Sequence, residues 1–181
     1  MSKKVENILF STSAQKILNF LCSEPEKQFT EKEIVQKTDI KKSSVNLTAH
    51  FLLKNKLITG RKIGRTSLYG IDKNNAVIRE IKILQNIISL MPIIENLKKH
   101  SQKIILFGST SQGINTPKSD IDLFVQSNNP KEIRKIINDS NLRNKIQLIV
   151  KTPEEMLRIN KEKPLFFEEI KKGKIICENY E

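Results

Sequence analysis

The chain has 181 residues, 38% hydrophobic and 29% charged, which excludes a disordered tail and leaves room for one medium domain or two small ones. Its formal net charge of +12 points to a polyanionic partner, nucleic acid or nucleotide. No apolar run is long enough to span a bilayer and the N-terminus lacks a signal-peptide core, so a cytoplasmic protein without a membrane partner is expected.

The charge is concentrated early in the chain. Residues 1–100 hold 18 basic and 9 acidic side chains, whereas residues 101–181 hold 14 and 11. In chain order, Thr12 or Ser13 can cap a first helix whose apolar face is Ile17, Leu18, Phe20 and Leu21. Thr30 and Glu33 form a capping box for a short second helix. A turn at 39–42 leads into a third helix from Ser43 to Asn55. Residues 58–72 alternate and turn at Gly64-Arg65, as a β-hairpin does. Three helices followed by a basic hairpin make a winged helix-turn-helix, expected over residues 1–74.

A helical stretch at 75–101 follows, with two apolar stripes. Val77, Ile81, Leu84, Ile88 and Met91 form one, and Ile83, Ile87, Leu90, Ile94 and Leu97 the other. Two stripes need two packing partners: the chain's own domains, or a second subunit in a homodimer. Pro92 is expected to break the run into two helices. Beyond it, strands are expected at 103–107, 120–126 and 145–150, with helices at 111–114, 130–139, 153–160 and 165–172. The fold class is therefore α/β (α+β): an N-terminal winged helix and a C-terminal mixed sheet with flanking helices at 102–181. Cys22 and Cys177 lack metal-ligand spacing and read as small apolar residues.

Between Lys41 and Arg65 lie seven basic residues and no acidic one. The start of a recognition helix meets base edges in the major groove. Lys41, Lys42, Ser43, Ser44, Asn46 and Leu47 occupy that position. Arg61, Lys62 and Arg65 would follow the backbone or the minor groove. The order of a Ser-rich helix start, a "Leu-Ile" helix end and a Gly-Arg hairpin over the first 72 residues resembles winged-helix transcription regulators. Double-stranded DNA is the partner this implies; protein contact is the alternative. His50 and His100 stand alone and suit surface or helix-end roles.

The segment KIILFGSTSQGINTPKSDIDLFV carries the chemistry. A strand delivers Gly108, whose missing Cβ lets backbone approach a phosphate, and Ser109, which can hold phosphate oxygens. Ten residues separate Ser109 from Asp120, and Asp122 follows. Their i, i+2 spacing puts both carboxylates on one face of a strand. Two such groups repel unless a cation neutralises them, and Mg²⁺ (or Mn²⁺) with nucleotide phosphates suits the pair.

The pattern apolar-Gly-Ser, ten residues, Asp-apolar-Asp resembles the DNA polymerase beta-like nucleotidyltransferase superfamily. It is most similar to the minimal, MNT-type members of archaea and bacteria. Residues 151–155 and the ending PLFFEEIKKGKIICE are similar to tails of that group. The resemblance covers about residues 102–179 and implies a small mixed sheet flanked by helices, with NTP as substrate or ligand. Active members supply a third carboxylate from a later strand. Gln147 occupies that position here, within Ile146–Val150, and an amide cannot act as general base. Asp139 and Glu154 are the nearest other carboxylates.

The leading expectation is a DNA-binding, regulator-like protein whose nucleotidyltransferase-fold domain binds a metal–nucleotide and has lost efficient transfer. One alternative is an active enzyme moving a nucleoside monophosphate to a protein, RNA or small molecule. Another, implied by the resemblance alone, is an antitoxin-like partner of a helical toxin.

Overall fold

A computed structural model describes residues 2–179. The chain divides into two compact units, one of Lys3–Gln85 and the other beginning at Asn86. The fold is mixed helix and sheet, as expected. Among the described residues, no helix is long and apolar enough to cross a membrane.

In the first unit, helices α1 (Ser2–Leu9) and α2 (Ser13–Ser23) precede strand β1 (Phe29–Thr30), then α3 (Glu31–Thr38) and α4 (Lys42–Lys54). Strands β2 (Thr59–Ile63) and β3 (Thr66–Gly70) form the hairpin, and β1 adds to β3 in the order β1-β3-β2. Thr12 and Thr30 start α2 and α3 through capping boxes with Gln15 and Glu33. Gly64 turns the hairpin with φ 57°, a left-handed backbone that suits a residue without Cβ. The core gathers Ile17, Leu21, Ile34, Val45, Ala49, Leu52 and Tyr69. Each of the Ile, Leu and Val side chains, fully buried, contributes about 1.5–3 kcal/mol. Cys22 is buried here, as its apolar reading requires. Burial pushes its thiol up to about 12, against a downward pull from Lys82.

Helix α5 (Ala76–Lys98) passes through Pro92 without a break, contrary to expectation. Proline removes the bond its N–H would donate to Ile88 and costs roughly 3 kcal/mol. Burial of Leu90, Ile93, Ile94 and Leu97 around it offsets that loss. The second apolar stripe is thus largely covered within the chain. On the first, Val77 and Leu84 are exposed.

The second unit continues with β4 (Lys103–Phe107), the one-turn α6 (Gly108–Ser111), β5 (Ile121–Gln126), α7 (Pro130–Asn138), β6 (Ile146–Lys151), α8 (Pro153–Glu162), α9 (Pro164–Lys171) and β7 (Lys174–Glu178). The sheet order is β6-β5-β4-β7, with β5–β6 parallel and the other pairs antiparallel. The short helix expected at 111–114 starts three residues earlier, because β4 runs straight into the Gly108 turn.

Alternation sorts the strands onto two faces. Ile104, Leu106, Ile121, Leu123, Val125 and Val150 pack beneath α5 and α7. Ile105, Phe107 and Phe124 face the other way and pack with Ile170 of α9. Asp122 shares this second face, since it is in register with Phe107. Gly173, between α9 and β7, has no room for a side chain. A Cβ there would lie 2.5 Å from the Leu106 carbonyl oxygen and 2.6 Å from Ile105 Cγ2. Gly173→Ala is therefore expected to cost about 1–3 kcal/mol through forced displacement of β4. A denaturant midpoint matching the parent would show that β4 yields freely.

Candidate functional site

The second unit brings the Gly-Ser turn against Asp122, the second of the paired aspartates. Asp122 lies opposite Phe107 across the β4–β5 ladder, one residue before Gly108. Gly108 has φ 65°, and a Cβ on it would meet the Asp122 carboxyl group, with Cγ 3.0 Å away and Oδ2 closer still. The glycine is thus needed for the approach of an aspartate as well as for its backbone conformation. Asp120 precedes β5 and is exposed, while Asp122 is half-buried. The Asp122 carboxyl is held above its ordinary value of 3.8, first by burial, then by the negative charges of Asp120 and Glu169. Gln147 is in register with Asp122 across the parallel β5–β6 pair, so the two side chains share a face. Asp139 follows the end of α7, and Glu154 lies in the first turn of α8.

The turn itself is tied down by its own hydroxyls and by α5. Thr110 Oγ1 donates to the Phe107 carbonyl at 3.1 Å, and Ser111 Oγ to that of Gly108 at 2.8 Å. The Asn86 amide donates to the Thr110 carbonyl at 2.8 Å and exchanges bonds with Asn115 at 3.0 and 3.2 Å. Asn86 thereby links the helical turn to the loop that carries the chain to Asp120. Sequence reasoning missed Asn86, yet a signal exists: a polar residue stands at helical spacing between Ile83 and Leu90. Glu169 was missed too. It adjoins the buried Ile170 on α9, and its charge reaches Asp122 only through the tertiary fold.

The basic window of the first unit forms an exposed surface. Lys41, Lys42 and Ser43 are exposed at the start of α4, and Ser44 is half-buried. Every residue of β2 is exposed, Arg61 and Lys62 among them, and so is Arg65 in the turn. Asn46 is engaged elsewhere: its amide donates to Glu31 Oε1 at 2.8 Å, an oxygen that Tyr69 also approaches at 3.3 Å. The outer face of α4 instead presents Leu47, 72% exposed, and Phe51, 60% exposed.

Residues 91–181 match the family described as polymerase beta, nucleotidyltransferase. The chain belongs to that family. No curated protein matches the chain. Among solved structures, one of Bordetella bronchiseptica BpsR, described as addressing regulation of its DNA binding by 6-hydroxynicotinic acid, is similar at 16% identity. The likeness covers 54% of this chain and 86% of that one, with a TM-score of 0.37.

The family fold implies a divalent metal and a nucleoside triphosphate. Among the described residues, no group of three His, Cys, Asp or Glu side chains is placed to hold a metal. Two carboxylates are available, with a third negative charge felt at Asp122. Mg²⁺ commonly takes one or two carboxylates and completes its shell with water and substrate phosphate. The residues therefore fit an ion that arrives with a nucleotide, and they do not form a closed protein cage.

Proposed function

We propose that the chain is a DNA-binding regulator whose nucleotidyltransferase-fold domain binds a metal–nucleotide and transfers its nucleoside monophosphate poorly. The placement of Gln147 beside Asp122 supports this reading most directly. Asp120 and Asp122 hold the cation, and Ser109 with the amides of the Gly108 turn takes phosphate oxygens. A bound divalent ion would polarise the α-phosphate and offset charge on the departing pyrophosphate. Gln147 can hydrogen-bond a hydroxyl group through its amide, but it cannot take the proton at neutral pH. An acceptor hydroxyl next to Asp122 thus keeps its proton, and attack on phosphorus stays slow.

Calorimetry with Mg²⁺ and a non-hydrolysable nucleoside triphosphate tests the binding part. Heat of binding that requires Mg²⁺ is expected, and no binding of any of the four nucleotides would remove it. Gln147→Asp is expected to raise label transfer from a nucleoside triphosphate about tenfold or more, the low end of general-base effects. No gain would show that position 147 does not lie on the proton's path.

DNA binding by the first unit rests on the exposed cations of α4 and β2. An efficient transferase is the second reading, favoured by the intact Gly108, Ser109, Asp120 and Asp122. It predicts strong label transfer by the unaltered chain once the acceptor is supplied. A second copy of the chain or a helical protein partner are further proposals, and Val77 and Leu84 offer exposed apolar surface on α5 for either.

A further inference from the structure

The outer face of α4 holds an observation that general DNA affinity does not require. Val45, Ala49 and Leu52 anchor the helix in the core. The opposite face shows Lys42, Ser43, Leu47, Phe51 and Lys54 to solvent. Ser43, Leu47 and Phe51 follow one another at i, i+4 spacing, so they form a single column. The two large apolar members of that column are more than half exposed. A cation stands near each end of the column, Lys42 before it and Lys54 after it. Arg61, Lys62 and Arg65 are exposed on the hairpin, and no carboxylate occurs between Lys41 and Arg65.

That charge pattern suits a polyanion, and the major groove of DNA admits a helix. Leu and Phe side chains have no donors or acceptors, so they cannot read the hydrogen-bond pattern of a base pair. They can recognise the one apolar group exposed there, the C5-methyl of thymine. The residue best suited to adenine, Asn46, has its amide committed to Glu31. We propose that α4 selects DNA mainly by apolar contact of Leu47 and Phe51 with thymine methyl groups. The two residues lie about 6 Å apart along the helix axis. That span is roughly two base-pair steps of about 3.4 Å. The preferred site is therefore thymine-rich, with two methyls about two steps apart. This inference rests on the DNA-binding reading above.

The test uses the full chain and duplexes enriched by it from a random pool. Each enriched duplex is compared with a copy in which uracil replaces thymine, which removes the methyls and keeps every hydrogen bond. Affinity is expected to fall about fourfold per contacted methyl, hence about tenfold or more for two. A Leu47→Ala, Phe51→Ala double variant should bind both copies equally, with its salt dependence unchanged. Both side chains are exposed, and its melting curve should match the parent's. The uracil comparison on the parent needs no variant. Equal binding of both copies by the parent, with steep salt dependence, would overturn methyl readout and leave DNA binding intact. Failure to bind any duplex at moderate salt would overturn both, and the column would then be a protein-docking face.

Discussion

Replacing Asp122 by Asn is expected to abolish Mg²⁺–nucleotide binding and, at the same time, to raise the melting temperature at neutral pH. The first effect follows from losing one of the two proposed cation ligands, the one that meets the Gly108 turn. The second follows from the direction of the Asp122 titration. Its folded value lies above the ordinary 3.8, so the folded protein holds the proton more tightly than the unfolded chain does. Between those two values the native state binds more protons, and stability falls as pH rises. Above the raised value the whole penalty is present. Asn carries no charge and escapes it. The stability gain should therefore be greatest near pH 7 and shrink as pH falls through the carboxylate range.

Ligand reverses the comparison. At a hundredfold excess over Kd, bound nucleotide adds about 2.7 kcal/mol to the parent and nothing to the variant. Melting curves at several pH values, with and without Mg²⁺ and nucleotide, check both halves. An Asp122→Asn protein that melts below the parent without ligand would contradict the assigned charge crowding.

The second large effect lies on the hairpin. The triple variant Arg61→Ala, Lys62→Ala, Arg65→Ala is expected to weaken binding to all DNA sequences alike. Each cation that meets a phosphate sets about one unit of the slope of log K against log salt. The triple variant should therefore lose about three units. All three residues are exposed, so the fold should persist. Binding titrations from low to moderate salt measure the slope directly. An unchanged slope would place the hairpin away from the phosphates. A loss confined to certain sequences would mean that these side chains read bases.

Local chemistry made much of this molecule legible in its sequence. Thr30 and Glu33 announce α3 because the box needs only residues three apart. The run from Lys103 to Phe107 announces a strand through four consecutive apolar residues after the lysine, and β4 has those bounds. Pairing between distant segments was harder to read. Strand β7 went unrecognised since Ile175 is exposed at a sheet edge and the run lacks clean alternation. Strand β1 has only two residues and exists because β3 lies beside it. Pro92 misled because its local penalty is visible in sequence, whereas the burial that offsets it is not. In the acid site, the Gly-Ser and Asp-Ile-Asp motifs were plain. The contributions of Asn86 and Glu169 arise from helices that the fold carries to the turn.

The contact between Gly108 and the Asp122 carboxyl gives this site a history with a direction. A methyl group at 108 would meet the carboxyl group at 122, so alanine there requires the Asp122 side chain to rotate away from the turn. Once the aspartate has shrunk to a smaller residue, alanine at 108 faces only the left-handed backbone penalty, roughly 1–2 kcal/mol. Losing the carboxylate first and the glycine later avoids that clash, whereas the opposite order displaces the carboxylate from the turn. A chain that retains the glycine after losing its acid is thus a viable halfway stage. One that retains the acid without the glycine must hold that acid away from the turn.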